Sequence, residues 1–289
     1  MAHRCPNFDT LPIKYQDETK KLKENLRTAT SLSKKRILFK EFTKNFTMLP
    51  ALWNRWLGIE REAAESTYEK CKFQRLFNLE QKAFNDFYYH KFMERKSPKK
   101  LTTADFWFYK NIETFRNCYD LMFTVITESP KESEKLAEMF LSFPHRLIDN
   151  VFKVYQQVSV EPVPKYVKGK YEFNKNLYQK IMAVNDSDEE WLKLIKSVND
   201  FEFFRQNIET RIAENPANKY LWKYYIEYLK EDPENFQFLL SVYYRYCRLF
   251  IDDEEMKAEF EEAELKEKRA EPEILEVLTY HGIRDFQKL

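Results

Sequence analysis

The chain has 289 residues, 33% of them charged and 17% aromatic, a net charge of +1, and 3 glycines. About 20 glycines are expected at average usage, and parallel-sheet nucleotide folds, phosphate loops and dinucleotide fingerprints all need several at close spacing. Those classes are excluded, which leaves an all-α chain with solvated outer faces and aromatic inner ones, long enough for more than one compact core.

In chain order, residues 14–44 come first, with ten Lys/Arg against four acids, a net of +6. "FTMLPALWNRWLGIERE" (46–62) follows and predicts a helix led by Trp53, with Trp56 three residues on and Glu60 seven on. A second helix is expected in "YEKCKFQRLFNLEQKAF" (68–84). Phe87 then leads "FYYHKFME", thirty-four residues after Trp53, with Glu94 again seven on. "KSPKKLTTA" (96–104) reads as a break. The helix predicted over 112–126 stops at Ser129-Pro130, where Ser129, Pro130 and Glu132 suit a capping box for the next one.

"SVEPVPKYVKGKY" (159–171), with two prolines and a glycine, is expected to be a loop. Ser187 and Glu190 suit a cap before Trp191, and "FEFFRQNIETRI" (201–212) reads as the partner helix. Thirty-one residues after Trp191 comes Trp222, in "NPANKYLWKYYIEYLKEDPENF" (215–236). There Tyr220, Trp222, Tyr225, Ile226 and Leu229 make one apolar stripe, with Lys219, Lys223, Glu227, Lys230 and Glu231 opposite. Asp232 and Pro233 suit the cap and first position of the helix over 236–250. Met256, thirty-four residues after Trp222, lies in an acidic run at 252–264 that holds eight acids and one lysine, a net of −7.

A spacing of 31–36 residues between aromatic-led helix pairs predicts a helical-repeat solenoid, in which each pair buries its stripe against the next. The anchors Trp53, Trp56, Phe87, Trp191, Trp222, Tyr225 and Tyr228 suit the packing face better than a base-stacking surface. Glu60 and Glu94, at a fixed distance from their anchors, are expected to pair with a donor on a neighbouring helix. His3, His90, His145 and His281 stand apart from one another and from the cysteines, so neither a metal site nor a cofactor is indicated. There is no nucleophile elbow, HExxH or phosphate loop, and an enzyme is not expected.

The two charged runs offer surfaces for partners, at Lys34, Lys35 and Arg36 and at Asp252, Asp253, Glu254 and Glu255. Solvated helix faces are the plainer expectation for both. Apolar runs such as "LMFTVIT" (121–127) fall far short of the ~20 residues that span a bilayer, and "MAHRCPNFDT" has no hydrophobic signal region. Cys5, Cys71, Cys118 and Cys247 form no CxxC pair. A reduced nuclear setting is expected, with the cytoplasm as the alternative and no membrane contact. "RKSPKK" (95–100) has the composition of a weak import signal.

A tryptophan opening the first helix, an aromatic three on and an acid seven on resembles half-a-tetratricopeptide (HAT) repeats. The order of "FTMLPALWNRWLGIERE", "SVEPVPKYVKGKYEFNKNLYQK" (159–180), "NKYLWKYYIEYL" (218–229) and "LLSVYYRYCR" (239–248) is similar to the amino-terminal repeats of the U4/U6 snRNP recycling factor family. The resemblance divides the chain into repeats at 1–95, irregular helices at 105–158, and further repeats at 172–289 that end in an acidic helix. It implies a protein–protein scaffold in pre-mRNA splicing or snRNP assembly, with spliceosomal proteins as partners. Relatives carry further repeats and RNA-recognition domains. Such a domain needs a glycine- and aromatic-rich strand that three scattered glycines exclude. RNA binding is therefore expected to be weak and indirect, and the oligomeric state is left open. Two alternatives remain: an RNA-binding solenoid using the basic amino-terminal helices, and an unrelated helical-repeat adaptor.

Overall fold

The computed structural model describes residues 8–65, 137–159 and 161–280, with scattered positions between 75 and 135. Every regular element among the described residues is helical. The helices are α1 (Ile13–Thr28), α2 (Leu32–Asn45), α3 (Pro50–Glu65), α4 (Ile148–Val158), α5 (Lys165–Ala183), α6 (Asp188–Lys196), α7 (Phe201–Glu214), α8 (Lys219–Lys230), α9 (Phe236–Cys247) and α10 (Glu254–Tyr280), with 3-10 turns at Phe8–Thr10 and Pro233–Asn235. Glu94, the 96–104 break, all but the first residue of the helix expected over 112–126, and the capping box at Ser129 lie outside the described residues.

Local chemistry sets the helix starts. Ser31, Ser187 and Asn218 each accept a hydrogen bond from the backbone N–H three residues on, which satisfies one of the orphan donors of a helix start. Asp200 does the same for Phe203 at 3.0 Å, after Asn199 turns the chain with a left-handed φ of 53°. Asn tolerates that conformation better than most residues. Asp232 caps as expected, but the element that it opens with Pro233 is the 3-10 turn leading into α9.

The expected loop at 159–171 is shorter than the sequence suggests. Pro162 and Pro164 lie in the irregular stretch, and the chain is helical from Lys165 onward. Pro164 occupies the N-cap position, where a missing N–H costs nothing, and Gly169 sits inside α5. Glycine costs a helix interior about 1 kcal/mol relative to alanine. The burial of Val167, Leu177 and Ile181 along one face of α5 outweighs that cost.

Two compact units emerge. The first unit combines residues 1–72 with 215–289, and the second comprises 73–214. In the first, α1 packs on α2, α2 on α3, α8 on α9, and α9 on α10. In the second, α4 packs on α5, α5 on α6, and α6 on α7. The connections between these neighbours run to three to six residues, the length that joins antiparallel helices.

Polar bonds between distant parts of the sequence join the two halves of the first unit. The Thr47 N–H donates to the Arg248 carbonyl at 3.2 Å, and the Thr47 hydroxyl donates to the Arg245 carbonyl at 2.9 Å. Tyr15 donates its hydroxyl to the Thr47 carbonyl at 2.6 Å, and the Arg248 guanidinium reaches the carbonyls of Thr43 and Phe46 at the end of α2. An arginine there satisfies carbonyls that the helix itself leaves open. A chain in which repeats touch only their immediate neighbours has no such bond.

Candidate functional surfaces

Trp53, Trp191 and Trp222 occupy one register. Each stands four residues after the position that precedes its helix, namely Leu49, Ser187 and Asn218. All three rings are buried, as are Trp56, Phe87 and Tyr225, while Tyr228 is half-buried. The Trp222 indole N–H donates to the Pro216 carbonyl at 2.9 Å, and its ring meets Tyr246 edge-on at 6.3 Å. The six buried rings are packed inside the units and offer no face on which a base can stack.

A second feature recurs around the tryptophans. The Arg211 guanidinium, on α7, lies 4.4 Å from the centre of the Trp191 ring. Arg245, on α9, lies 5.3 Å from that of Trp222. In both hairpins an arginine from the last turns of the second helix covers the tryptophan of the first, a cation–π contact. Arg211 is also held by Asp188 at 2.7 Å and by Asn185. A one-letter periodicity in the second helix, arginine some twenty residues after tryptophan, is the only sequence signal for it.

Glu60 pairs with a neighbouring helix, as its spacing predicts. The Arg36 Nε and Nη2 donate to its two carboxylate oxygens at 2.6 Å each, and Trp56 Nε1 donates at 3.3 Å. The hydrogen bond to Glu60 raises the pKa of Arg36, against an opposing contribution from burial. Trp53 and Trp56 stack at 5.5 Å, and Trp56 stacks in turn on Phe39 at 4.9 Å. Arg36 is thereby removed from the expected partner surface, because it is a structural partner of a buried acid. Lys34 is exposed and Lys35 half-buried.

The acidic surface needs the same correction. Asp253 is buried, and it accepts from Lys219 at 2.7 Å, from the Tyr246 hydroxyl at 2.6 Å and from the Met256 N–H at 3.4 Å, with Lys223 also 3.4 Å away. Burial alone would raise its pKa, but the bonds from Lys219 and Tyr246 hold the carboxyl well below the usual range. Burial pushes the Tyr246 hydroxyl up, and its bond to Asp253 adds to that shift. Asp252, Glu254 and Glu255 are exposed, with Glu254 paired to Lys257 at 2.7 Å.

Beside this cluster, Lys230 bridges Glu227 and Glu259 at 2.7 Å each, and Tyr243 donates to Glu259 at 2.6 Å. Together these contacts fasten α10 to α8 and α9. Burial pushes the Cys247 thiol up to about 12, where it is inert as a nucleophile. Tyr220 departs from the expected stripe: it is 48% exposed, and Leu221 is buried in its place.

In the second unit the buried His145 is neutral by geometry. Its Nε2–H donates to the Phe140 carbonyl at 2.9 Å, and its Nδ1 accepts from the Leu147 N–H at 3.2 Å. Burial pulls its pKa down to about 4, against the bond to Phe140. On α4, Asp149 is held by Lys175 at 2.8 Å and by the Tyr171 hydroxyl at 2.7 Å. The described residues hold no group of three or more His, Cys, Asp and Glu side chains placed to bind a metal ion, and no described helix is long and apolar enough to cross a membrane. No protein-family model matches the chain, and no curated protein matches it significantly.

Proposed function

We propose that the chain is a non-enzymatic helical-repeat scaffold of the HAT type, holding proteins of an RNA-processing particle of the spliceosomal snRNP kind in the nucleus. The observation that carries this reading is the shared register of Trp53, Trp191 and Trp222, each buried in a helix that packs on its chain neighbour. The arginine over Trp191 and the arginine over Trp222 add a second repeated element. The partner class rests on the sequence resemblance alone. Bonds from Thr47 and Arg248 that bring residues 43–47 to 245–248 go beyond the contacts of a simple linear array, and this reading treats them as a local closure within one unit.

Affinity purification of the tagged chain from nuclear extract, with identification of what co-purifies, tests it. Stoichiometric snRNP proteins that survive nuclease treatment support the scaffold; their absence overturns it. The RNA-binding alternative draws on the exposed Lys34 and Lys40 of α2. With Trp53, Trp56, Trp191 and Trp222 buried and charge near balance, the expected affinity of the isolated chain is in the non-specific range of about 10⁻⁴–10⁻⁶ M, falling steeply with salt. Nanomolar, sequence-selective binding at physiological salt would reverse the order of the two.

A further inference from the structure

In the second unit, α5 buries Val167, Asn174, Leu177 and Ile181 along one face. Beside that face runs a second stripe, Tyr166, Gly169, Phe173, Asn176 and Lys180, exposed over its whole length of about 21 Å. Phe173 is 67% exposed and Tyr166 is 58% exposed. Tyr166 is nevertheless held in place. Its hydroxyl donates to Glu138 at 3.2 Å, and Lys170, itself 3.0 Å from Glu138, lies 5.6 Å from the centre of its ring. Gly169 falls between the two rings, and a Cβ there would meet no atom of the chain within 4 Å. Packing therefore does not require this glycine, one of the poorest helix formers, and it leaves a notch between two open rings.

Charge gives the stripe its sign. α5 carries five lysines, at 165, 168, 170, 175 and 180, against the single acid Glu172, a net of +4. From outside the helix, Glu138 pairs with Lys170 and Asp149 with Lys175, and Lys153 of α4 also acts on Asp149. Lys168 stands 3.8 Å from Glu172. Lys165 and Lys180, at the two ends of the stripe, pair with no acid among the described residues. The exposed acids Glu161 and Asp186 lie in the turns beyond those ends.

We propose that this face of α5 binds single-stranded nucleic acid, with bases stacking on Tyr166 and Phe173 and the backbone passing the notch at Gly169 between Lys165 and Lys180. Open aromatic rings interleaved with lysine form a stacking platform in a positive field, and a missing side chain lets a backbone approach closely. A protein partner fits less well, because lysine is depleted at protein interfaces and the stripe holds no aliphatic side chain. The site is independent of the scaffold reading, and it differs from the α2 lysines.

Fluorescence anisotropy of a labelled oligoadenylate of about 12 nucleotides with the full chain, at about 0.05 M salt, tests it. The single strand is expected to bind more tightly than a duplex of equal length. Charge alone favours the duplex, so a preference for the duplex overturns the proposal. Phe173→Ala and Tyr166→Ala are each expected to weaken binding about fivefold or more, the low end of a base–aromatic stack. Gly169→Leu is expected to raise the melting temperature, as a better helix former in open space, and yet to weaken binding by filling the notch. Absence of binding overturns the proposal, as does a loss confined to Lys34→Gln and Lys40→Gln while the three α5 variants bind like the unaltered chain. Easier displacement of the oligoadenylate by polyglutamate of equal charge than by unlabelled oligoadenylate also overturns it, and assigns the face to acidic protein segments.

Discussion

The hairpin α6–α7 in the second unit and the hairpin α8–α9 in the first follow one plan and diverge in their polar bonds. Each has a tryptophan four residues after its N-cap and an arginine from the second helix over the ring. Around Trp191, the arginine is tied back to Asp188 and Asn185, at the start of α6 and in the turn before it. Around Trp222, a third helix joins, and Asp253 at its cap collects Lys219, Tyr246 and the Met256 N–H. The comparison teaches that the aromatic anchor defines the hairpin, while buried charge defines what the hairpin is fastened to.

The largest effects test the shared part. Trp222→Ala and Trp191→Ala are each expected to cost about 3–5 kcal/mol, as buried aromatic truncations do. The cost should be larger at Trp222, where a hydrogen bond to Pro216 and the Tyr246 contact are also lost. Denaturant titration followed by far-ultraviolet circular dichroism measures both. A cost below about 1 kcal/mol at either position breaks the equivalence of the anchors, since exposed sites behave that way.

The two units are expected to differ in their response to acid. His145 has a folded pKa of about 4, below its unfolded value of about 6.5, so the fold disfavours the charged form. Its contribution is complete above pH ~6.5 and is lost as pH falls from there towards 4, about 3 kcal/mol over that window. Asp253, whose pKa is also depressed, contributes fully above the unfolded carboxylate value of about 3.9 and loses that contribution only below it. Hydrogen exchange at stepped pH is expected to show the second unit loosening first. Simultaneous loosening at all positions, or His145→Gln leaving the acid profile unchanged, counts against this.

Arg36→Met leaves Glu60 buried without its bidentate partner and is expected to cost about 2–4 kcal/mol, with much of it recovered when Glu60→Met is added. Chemical denaturation of the two single variants and the double closes the cycle. The smallest effect sharpens the comparison within one helix. Tyr220→Ser, two residues from Trp222, should change stability by less than about 0.5 kcal/mol because the ring is exposed.

How far the sequence was legible follows from the range of each interaction. Trp53, Trp56, Glu60, Trp191, Trp222 and the caps at Ser187 and Asp232 were readable because a helix repeats every 3.6 residues and caps act within one turn. Tyr220 was misplaced because a residue at the edge of a stripe is assigned by whatever neighbour happens to cover it, and Leu221 has one. The loop at 159–171 is shorter than its prolines and glycine predict, because Pro164 stands just before the first turn of α5, where a backbone N–H has no helical partner, and the helix carries Gly169 inside it.

The amino-acid sequence by itself determined that this chain is helical, where α6, α7 and α9 begin, and that Trp53, Trp56, Trp191 and Trp222 face inward. Those properties depend on residues within a turn or two of each other. Only the tertiary structure decided that Arg36 and Asp253 leave the charged runs for buried pairs, and that residues 43–47 meet residues 245–248. Charge sign says nothing about the partner, and these partners lie 24 residues away for Arg36 and 198 for Thr47. Contacts at such separations form only when many packed faces agree at once, and no local pattern encodes that agreement.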